Sequence, residues 1–198
     1  MSRILLIAFF LSSQFIQAQV QGKKYYIGTS AFMMANLNQN NPEHPNFYQA
    51  NFGYQISSKD VFSLEFITWR YYAPLGVKNA SGETKIEDKF PGHVAAKGIA
   101  LAYQRFIYGN WYTALHSAFM DQKYSNIESQ QIGSGNQLFL TFRLGYHLEF
   151  LSHKLFLEPS IALTHWPINT NLPLSFQIQE DKWPKYQVEP GLHLGYIF

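Results

Sequence analysis

The sequence predicts an all-β chain: an eight-stranded antiparallel up-and-down transmembrane β-barrel that follows an N-terminal signal peptide. Three observations carry this reading. Apolar and polar residues alternate with a period of two over stretches of about ten residues, the signature of a barrel wall with two unlike faces. The 198 residues are 17% aromatic but only 14% charged, against about a quarter charged in ordinary soluble domains. The segments joining the alternating stretches are short and long by turns, as in a barrel whose two rims face different compartments. The length suits one domain, and a net charge of +2 excludes the concentrated basic face of a nucleic-acid binder.

The chain opens with Arg3, then the apolar run Ile4 to Leu11, then the polar stretch SSQFIQAQ. This is the layout of an export signal, and the run is too short to span a membrane as a helix, which takes about 20 residues. Cleavage is expected after Ala18, although Ile16 is not the small residue usual at that position. Residues 1–18 are thus assigned to the signal and 19–198 to the barrel. The chain has no cysteine, so neither a lipid-anchored lipoprotein nor a disulfide framework is expected. No other apolar stretch is long enough for a spanning helix.

The clearest strand is Gln137–Phe150. Leu138, Leu140, Phe142, Leu144, Tyr146, Leu148 and Phe150 line one face, while Phe139, Thr141, Arg143, Gly145, His147 and Glu149 line the other. The last segment repeats the scheme, with Val188, Leu192, Leu194, Tyr196 and Phe198 opposite Glu189, Gly191, His193 and Gly195. Further strands are expected at Lys24–Leu37, Phe47–Ser57, Val61–Tyr72, Val94–Ile107, Trp111–Met120 and Leu155–Trp166. Pro159 and Pro190 cannot donate to a ladder and are expected at bulges or kinks.

Short connections are expected at Ser58–Asp60, Tyr108–Asn110 and Leu151–Lys154, and long loops at Asn38–Asn46, Ala73–His93, Asp121–Asn136 and Pro167–Tyr186. Aromatic residues fall near both rims: Tyr25, Phe62, Trp111, Phe150 and Phe198 at the short-turn rim, and Tyr48, Trp69, Tyr72, Trp166 and Tyr186 at the other. With Trp183 in the last loop, they suggest the paired aromatic girdles of two membrane interfaces. A soluble sandwich or lipocalin-like barrel would reverse the two faces, with apolar residues inside.

From about Lys24 to Phe198 the chain resembles the small eight-stranded outer-membrane barrels of Gram-negative bacteria, of the OmpA/OmpX architectural type. The ending GLHLGYIF is its most specific part: Phe198, preceded at alternate positions by Tyr196, Leu194 and Leu192, is similar to the signal that the barrel-assembly machinery reads in that class. The resemblance implies a location in the outer membrane, with its lipid and the assembly machinery as partners. It implies no particular task, since one fold hosts many.

Parity places a polar cluster in the lumen: Glu65, His116, Arg143, His147, Glu149, Glu158 and His193. A turn at Leu151–Lys154 sets Phe150 against Leu155 and hence His147 against Glu158. The lumen of so small a barrel is filled by side chains, and charges buried there need partners, so a structural network of ion pairs and hydrogen bonds is expected. A metal site of His116, His147, His193 and Glu158 has no supporting spacing motif. Barrels that deacylate lipid A share a His-x-Ser-Asn run; the comparable stretch here, His165-Trp166-Pro167-Ile168-Asn169, lacks the serine. His116-Ser117 fails because neighbouring strand residues point to opposite faces. The Gly133–Asn136 stretch reads as a loop tip, the Asn79-Ala80-Ser81 sequon as idle, and Lys85 to Lys89 as a solvated charged stretch.

The expected function is structural or interaction-based, carried by long external loops that meet an unidentified surface ligand or protein, with no catalytic residues, cofactor or metal. A lipid-modifying hydrolase and a lipocalin-like carrier are the alternatives, while Phe139, Phe156 and His147 narrow the lumen against a channel. The native protein is expected to lack roughly its first 18 residues; an intact mass that starts at Met1 would refute export by this signal.

Overall fold

The computed structural model describes residues 25–31, 33, 36, 46–77 and 85–198. The expected signal peptide and the Asn79-Ala80-Ser81 sequon lie outside them. The strands are β1 (Tyr25–Ser30), β2 (Asn46–Gln55), β3 (Asp60–Tyr71), β4 (His93–Tyr108), β5 (Trp111–Ser125), β6 (Gln131–Tyr146), β7 (Leu148–Phe150), β8 (Leu155–Asn169) and β9 (Tyr186–Ile197), with a helix α1 (Leu174–Glu180) between the last two. From β1 to β6 each strand pairs antiparallel with the next, β6 and β7 both pair with β8, β8 pairs with β9, and β9 pairs with β1, so the sheet closes on itself. β6 and β7 are two pieces of one stave, which makes the wall an eight-stranded barrel.

Pro159 explains the interruption. Gly145 pairs with Ser160 and Leu148 with Leu157, the same register on either side, so no residue is inserted. His147 directs its N–H to Asn110 O at 2.9 Å and accepts Asn110 Nδ2 on its own carbonyl at 2.9 Å. Its neighbours therefore turn toward β8, where Tyr146 would need the N–H that Pro159 lacks. By the same alternation, Pro190 turns its nitrogen toward β1, which has ended at Ser30 opposite His193. The expected bulges or kinks at both prolines are thus replaced by one missing ladder bond and one free edge position, in a β8–β9 ladder of unbroken register.

Two expected boundaries are corrected. β1 stops at Ser30 instead of running to Leu37. Beyond it, Asn36 completes the edge of β2 with its side chain, donating Nδ2 to Phe47 O at 2.8 Å and accepting Phe47 N–H on Oδ1 at 2.7 Å. The expected loop Asp121–Asn136 is mostly strand, with a turn at residues 126–130 that Asn126 organises by accepting the N–H groups of Glu128 and Gln130 on Oδ1.

The wall has two unlike faces. Along β3 the exposed Phe62, Leu64 and Phe66 alternate with the buried Val61, Ser63, Glu65 and Ile67. Ile99, Leu101, Leu115, Phe119, Phe142, Leu144, Ile161, Leu163, Val188 and Leu194 continue the outward apolar belt. Asn51, Ser63, Glu65, Gln122, Gln137, Thr141, Arg143, Glu158, Thr164 and His193 are buried inside. Inward glycines make room for the bulky lumen side chains. A Cβ at Gly53 would lie 1.8 Å from the Tyr26 ring, and one at Gly191 would lie 1.9 Å from Arg143 Nη1.

The lumen changes character along its length. Its ionisable groups gather toward the short-turn rim. Toward the long-loop rim Ile67, Tyr71, Phe90, Val94, Met120, Tyr124 and Phe176 form an apolar core, with Phe47, Trp69 and Phe139 packed against it.

Candidate functional site

Residues of like parity on neighbouring staves meet inside the barrel, so the lumen side chains form two hydrogen-bonded groups. At the short-turn end His147 stands between two carboxylates, its Nδ1 2.7 Å from Glu158 Oε1 and its Nε2 3.1 Å from Glu149 Oε1. A doubly protonated imidazolium satisfies both. Gln104 donates Nε2 to Glu158 Oε1 at 2.9 Å, carrying the chain of bonds to β4, and His153 Nδ1 reaches Glu149 Oε2 at 2.6 Å from the turn. That turn is tightly wound, with Leu151, Ser152 and His153 all at positive φ (48°, 57° and 61°).

The second group lies higher in the lumen. Glu65 Oε1 is 2.8 Å from His116 Nδ1, and its Oε2 accepts Gln49 Nε2 at 3.3 Å. The His116 ring stacks on that of His193 with centroids 6.0 Å apart. Arg143 donates Nη1 to Ser160 Oγ at 2.9 Å, while its buried Nε has no partner. A polar cavity of about 20 Å³ lies among Tyr26, Glu65, Tyr112, His116, Arg143 and Glu158, the room of a single water. The expected lumen residues thus all point inward but split into separate groups. Among the described residues no cluster of His, Cys, Asp and Glu has the arrangement of a metal site.

Above Arg143 lies a larger cavity of about 90 Å³ whose floor includes Glu65, His116, Arg143 and Glu189 and whose wall includes Phe47, Trp69 and Phe139. Trp69 packs edge-on against Phe47 and Phe139 at 5.6 and 5.3 Å, and Phe139 stacks on Trp166 at 5.8 Å. This corrects two girdle assignments: Trp69 and Trp166 point into the barrel, Trp166 being only 1% exposed. Trp111 does face outward, against Tyr146 at 5.2 Å. Trp183 is half-buried in the last loop, beside Gly76, and does not stand in an outer girdle. Gln49, Gln104 and Glu189 complete the polar groups. The signal for them was the parity that selected Glu65 and His193.

The long-loop mouth is closed by α1. Its Phe176 is fully buried, stacked on Phe90 at 4.8 Å and tilted against Tyr124 at 5.6 Å. Glu180, also buried, accepts the Trp166 indole N–H at 2.9 Å. Burial pushes its carboxyl above the ordinary range, against the pull of Trp166, Lys185 and Asn169. His165 faces outward and donates Nδ1 to Lys185 O at 2.7 Å, away from the lumen groups.

Two expectations follow. Glu158→Ala orphans the buried His147 and Gln104 donors, so it should destabilise the barrel more than Glu158→Ala combined with His147→Leu. Equilibrium unfolding in lipid vesicles should show the single variant about 1–3 kcal/mol below the double one; an equal or reversed order would mean that the pair is not a unit. The raised Glu180 carboxyl binds more protons in the capped state than in the open one. Docking of α1 should therefore weaken as pH rises through and above the ordinary carboxylate range. Glu180→Gln keeps an acceptor for Trp166 and should remove this dependence, measured as the ratio of proteolysis rates of the two proteins within residues 170–185 across pH.

No protein family, curated protein or solved structure matches the chain.

Proposed function

We propose that the chain is an integral β-barrel of a Gram-negative outer membrane, exported through the periplasm, with a structural or surface-interaction role carried by its long loops and no catalysis of its own. One observation carries this reading: a belt of large apolar residues encircles the outside of the barrel, while Glu65, Arg143, Glu158, His193 and other polar groups are buried inside it. In water such a belt is a liability, far beyond the scattered apolar residues of an ordinary surface. In a bilayer it is the solvated face, and a closed ladder leaves no strand edge exposed to lipid. A lipocalin-like carrier would need the opposite arrangement.

The rims support the same reading. Tyr25, Tyr54, Trp111, Phe150, Tyr196 and Phe198 stand exposed at the short-turn end, and Tyr48 and Tyr186 at the other. Leu192, Leu194, Tyr196 and Phe198 lie on the outward face of the final stave, where an assembly factor could read them before the barrel closes. The cap over the mouth favours anchoring or display over conduction. Its outer surface carries the strongly exposed pair Leu174 and Ile178, one turn apart on α1. Such a patch suits contact with a protein or ligand at the cell surface.

The native protein should sediment with the outer membrane and change gel mobility on boiling. Leu144→Arg should cost about 2–4 kcal/mol in lipid, against almost nothing for arginine at Ile178 on the cap. Recovery in the soluble fraction, or equal tolerance at both positions, would overturn the membrane reading.

A further inference from the structure

The cavity above Arg143 combines features that a packing defect does not. Arg143 is a permanent cation, 9% exposed, with five N–H donors in a fixed fork. Among the described residues it makes one side-chain hydrogen bond, to Ser160, and no ion pair within 4.0 Å; its Nε is buried and unpartnered. Burying a guanidinium in this state is costly, and the group that would relieve it is an oxygen acceptor, best a charged one.

The neighbouring carboxylates already have donors of their own. Glu65 is held by His116 and Gln49, and Glu189 accepts Gln187 Nε2 at 2.8 Å. Gly191 makes room for the guanidinium itself, since a Cβ there would lie 1.9 Å from Nη1. Facing this polar floor is an apolar wall of Phe47, Trp69 and Phe139. A site with one cation only partly satisfied and one aromatic wall matches a ligand with one anionic and one apolar end. The volume of about 90 Å³ is the room of about three waters and falls short of the 150 Å³ or so that encloses benzene, so the ligand must be smaller than benzene.

We propose that this cavity is a binding site for a short-chain monocarboxylate of about two to three carbons, its carboxylate on Arg143 and its alkyl group against Phe47, Trp69 and Phe139. The site lies where β1 has left the wall: Ser30 and Met33 line it, together with Gln49 of β2 and Gln187 of β9. Carboxylate recognition by Arg143 is independent of which membrane holds the barrel.

The test is a titration of the mature protein in lipid discs with sodium propanoate, followed by tryptophan fluorescence. Propionamide and inorganic phosphate serve as probes for the apolar end and the charge taken singly. A saturable change is expected with propanoate, at least about tenfold weaker with propionamide and absent with phosphate. Trp69→Phe should abolish the signal, and Arg143→Gln should weaken propanoate about tenfold or more. Arg143→Lys keeps the charge but loses the fork, and should also weaken propanoate; it serves where the glutamine variant fails the boiling-shift test for a folded barrel. No saturable response, an equal response to propionamide, a response surviving Trp69→Phe, or unchanged affinity in a folded Arg143 variant would each overturn the proposal, leaving the cavity to water alone.

Discussion

The molecule depends on closure of the backbone ladder. β6 and β7 meet β8, β1 meets β9, and the sheet has no terminal stave. Closure satisfies the main-chain donors and acceptors within the wall and, away from the register shifts at Phe106/Tyr108, Tyr124/Ser125 and Leu138/Leu140, fixes which way each side chain points through the period of two. The two faces can then be as unlike as they are. A slip of one residue on β6 would send Arg143 outward and Leu144 inward. The constraint also limits what the prolines do. A bulge at Pro159 would reverse parity for the rest of its stave, and the wall instead gives up a single hydrogen bond between β6 and β7 while keeping its register.

Within that wall the lumen holds two packing regimes in sequence. Toward the short turns, charges and amides fill the bore, each carboxylate met by a histidine or a glutamine donor, so few groups are left without a partner in low dielectric. Toward the long loops, aromatic rings fill it, and α1 seals the mouth with Phe176. Arg143 sits where the regimes meet, with the polar network on one side and the aromatic wall on the other. It is the cation whose environment is only half provided by the chain, and the larger cavity opens beside it.

How much of this was legible in sequence depended on whether a residue stood within the apolar belt. Between Leu138 and Phe150 one face is apolar and the other mixed, so the strand announced itself. The four-residue turn after Phe150 then led to the contact between His147 and Glu158. Beyond Phe119 the outward residues of β5 are Asp121 and Lys123, and the outward apolar signal disappears although the strand continues; Asp121 even accepts Asn136 Nδ2 at 2.7 Å across the hairpin. A strand rising above the belt has a polar outer face and turns Met120 and Tyr124 into the apolar core of the lumen, so the apolar face changes sides and the outward pattern breaks off, which reads as loop. The early end of β1 was hidden for a different reason. Asn36 stands in for a strand residue with a side-chain amide, and composition does not distinguish that from a ladder.

Trp69 and Trp166 show where height and parity conflict. Both occupy the level of an outer girdle, and height alone placed them there. Trp69, however, shares the parity of Glu65 and Ile67, and Trp166 that of Glu158 and Thr164, so inward-facing Glu65 and Glu158 already required both tryptophans to point inward. Parity is the stronger constraint because it follows from backbone geometry, whereas aromatic enrichment at an interface is a preference. Inside the bore the two rings do what no girdle could. Through Phe139 they connect β2, β3, β6 and β8 into one aromatic wall, and Trp166 extends that wall to the cap by donating to Glu180. The mouth and the aromatic wall are therefore linked by direct contacts, the guanidinium faces the same cavity as that wall, and the cap and the lumen form one continuous interior.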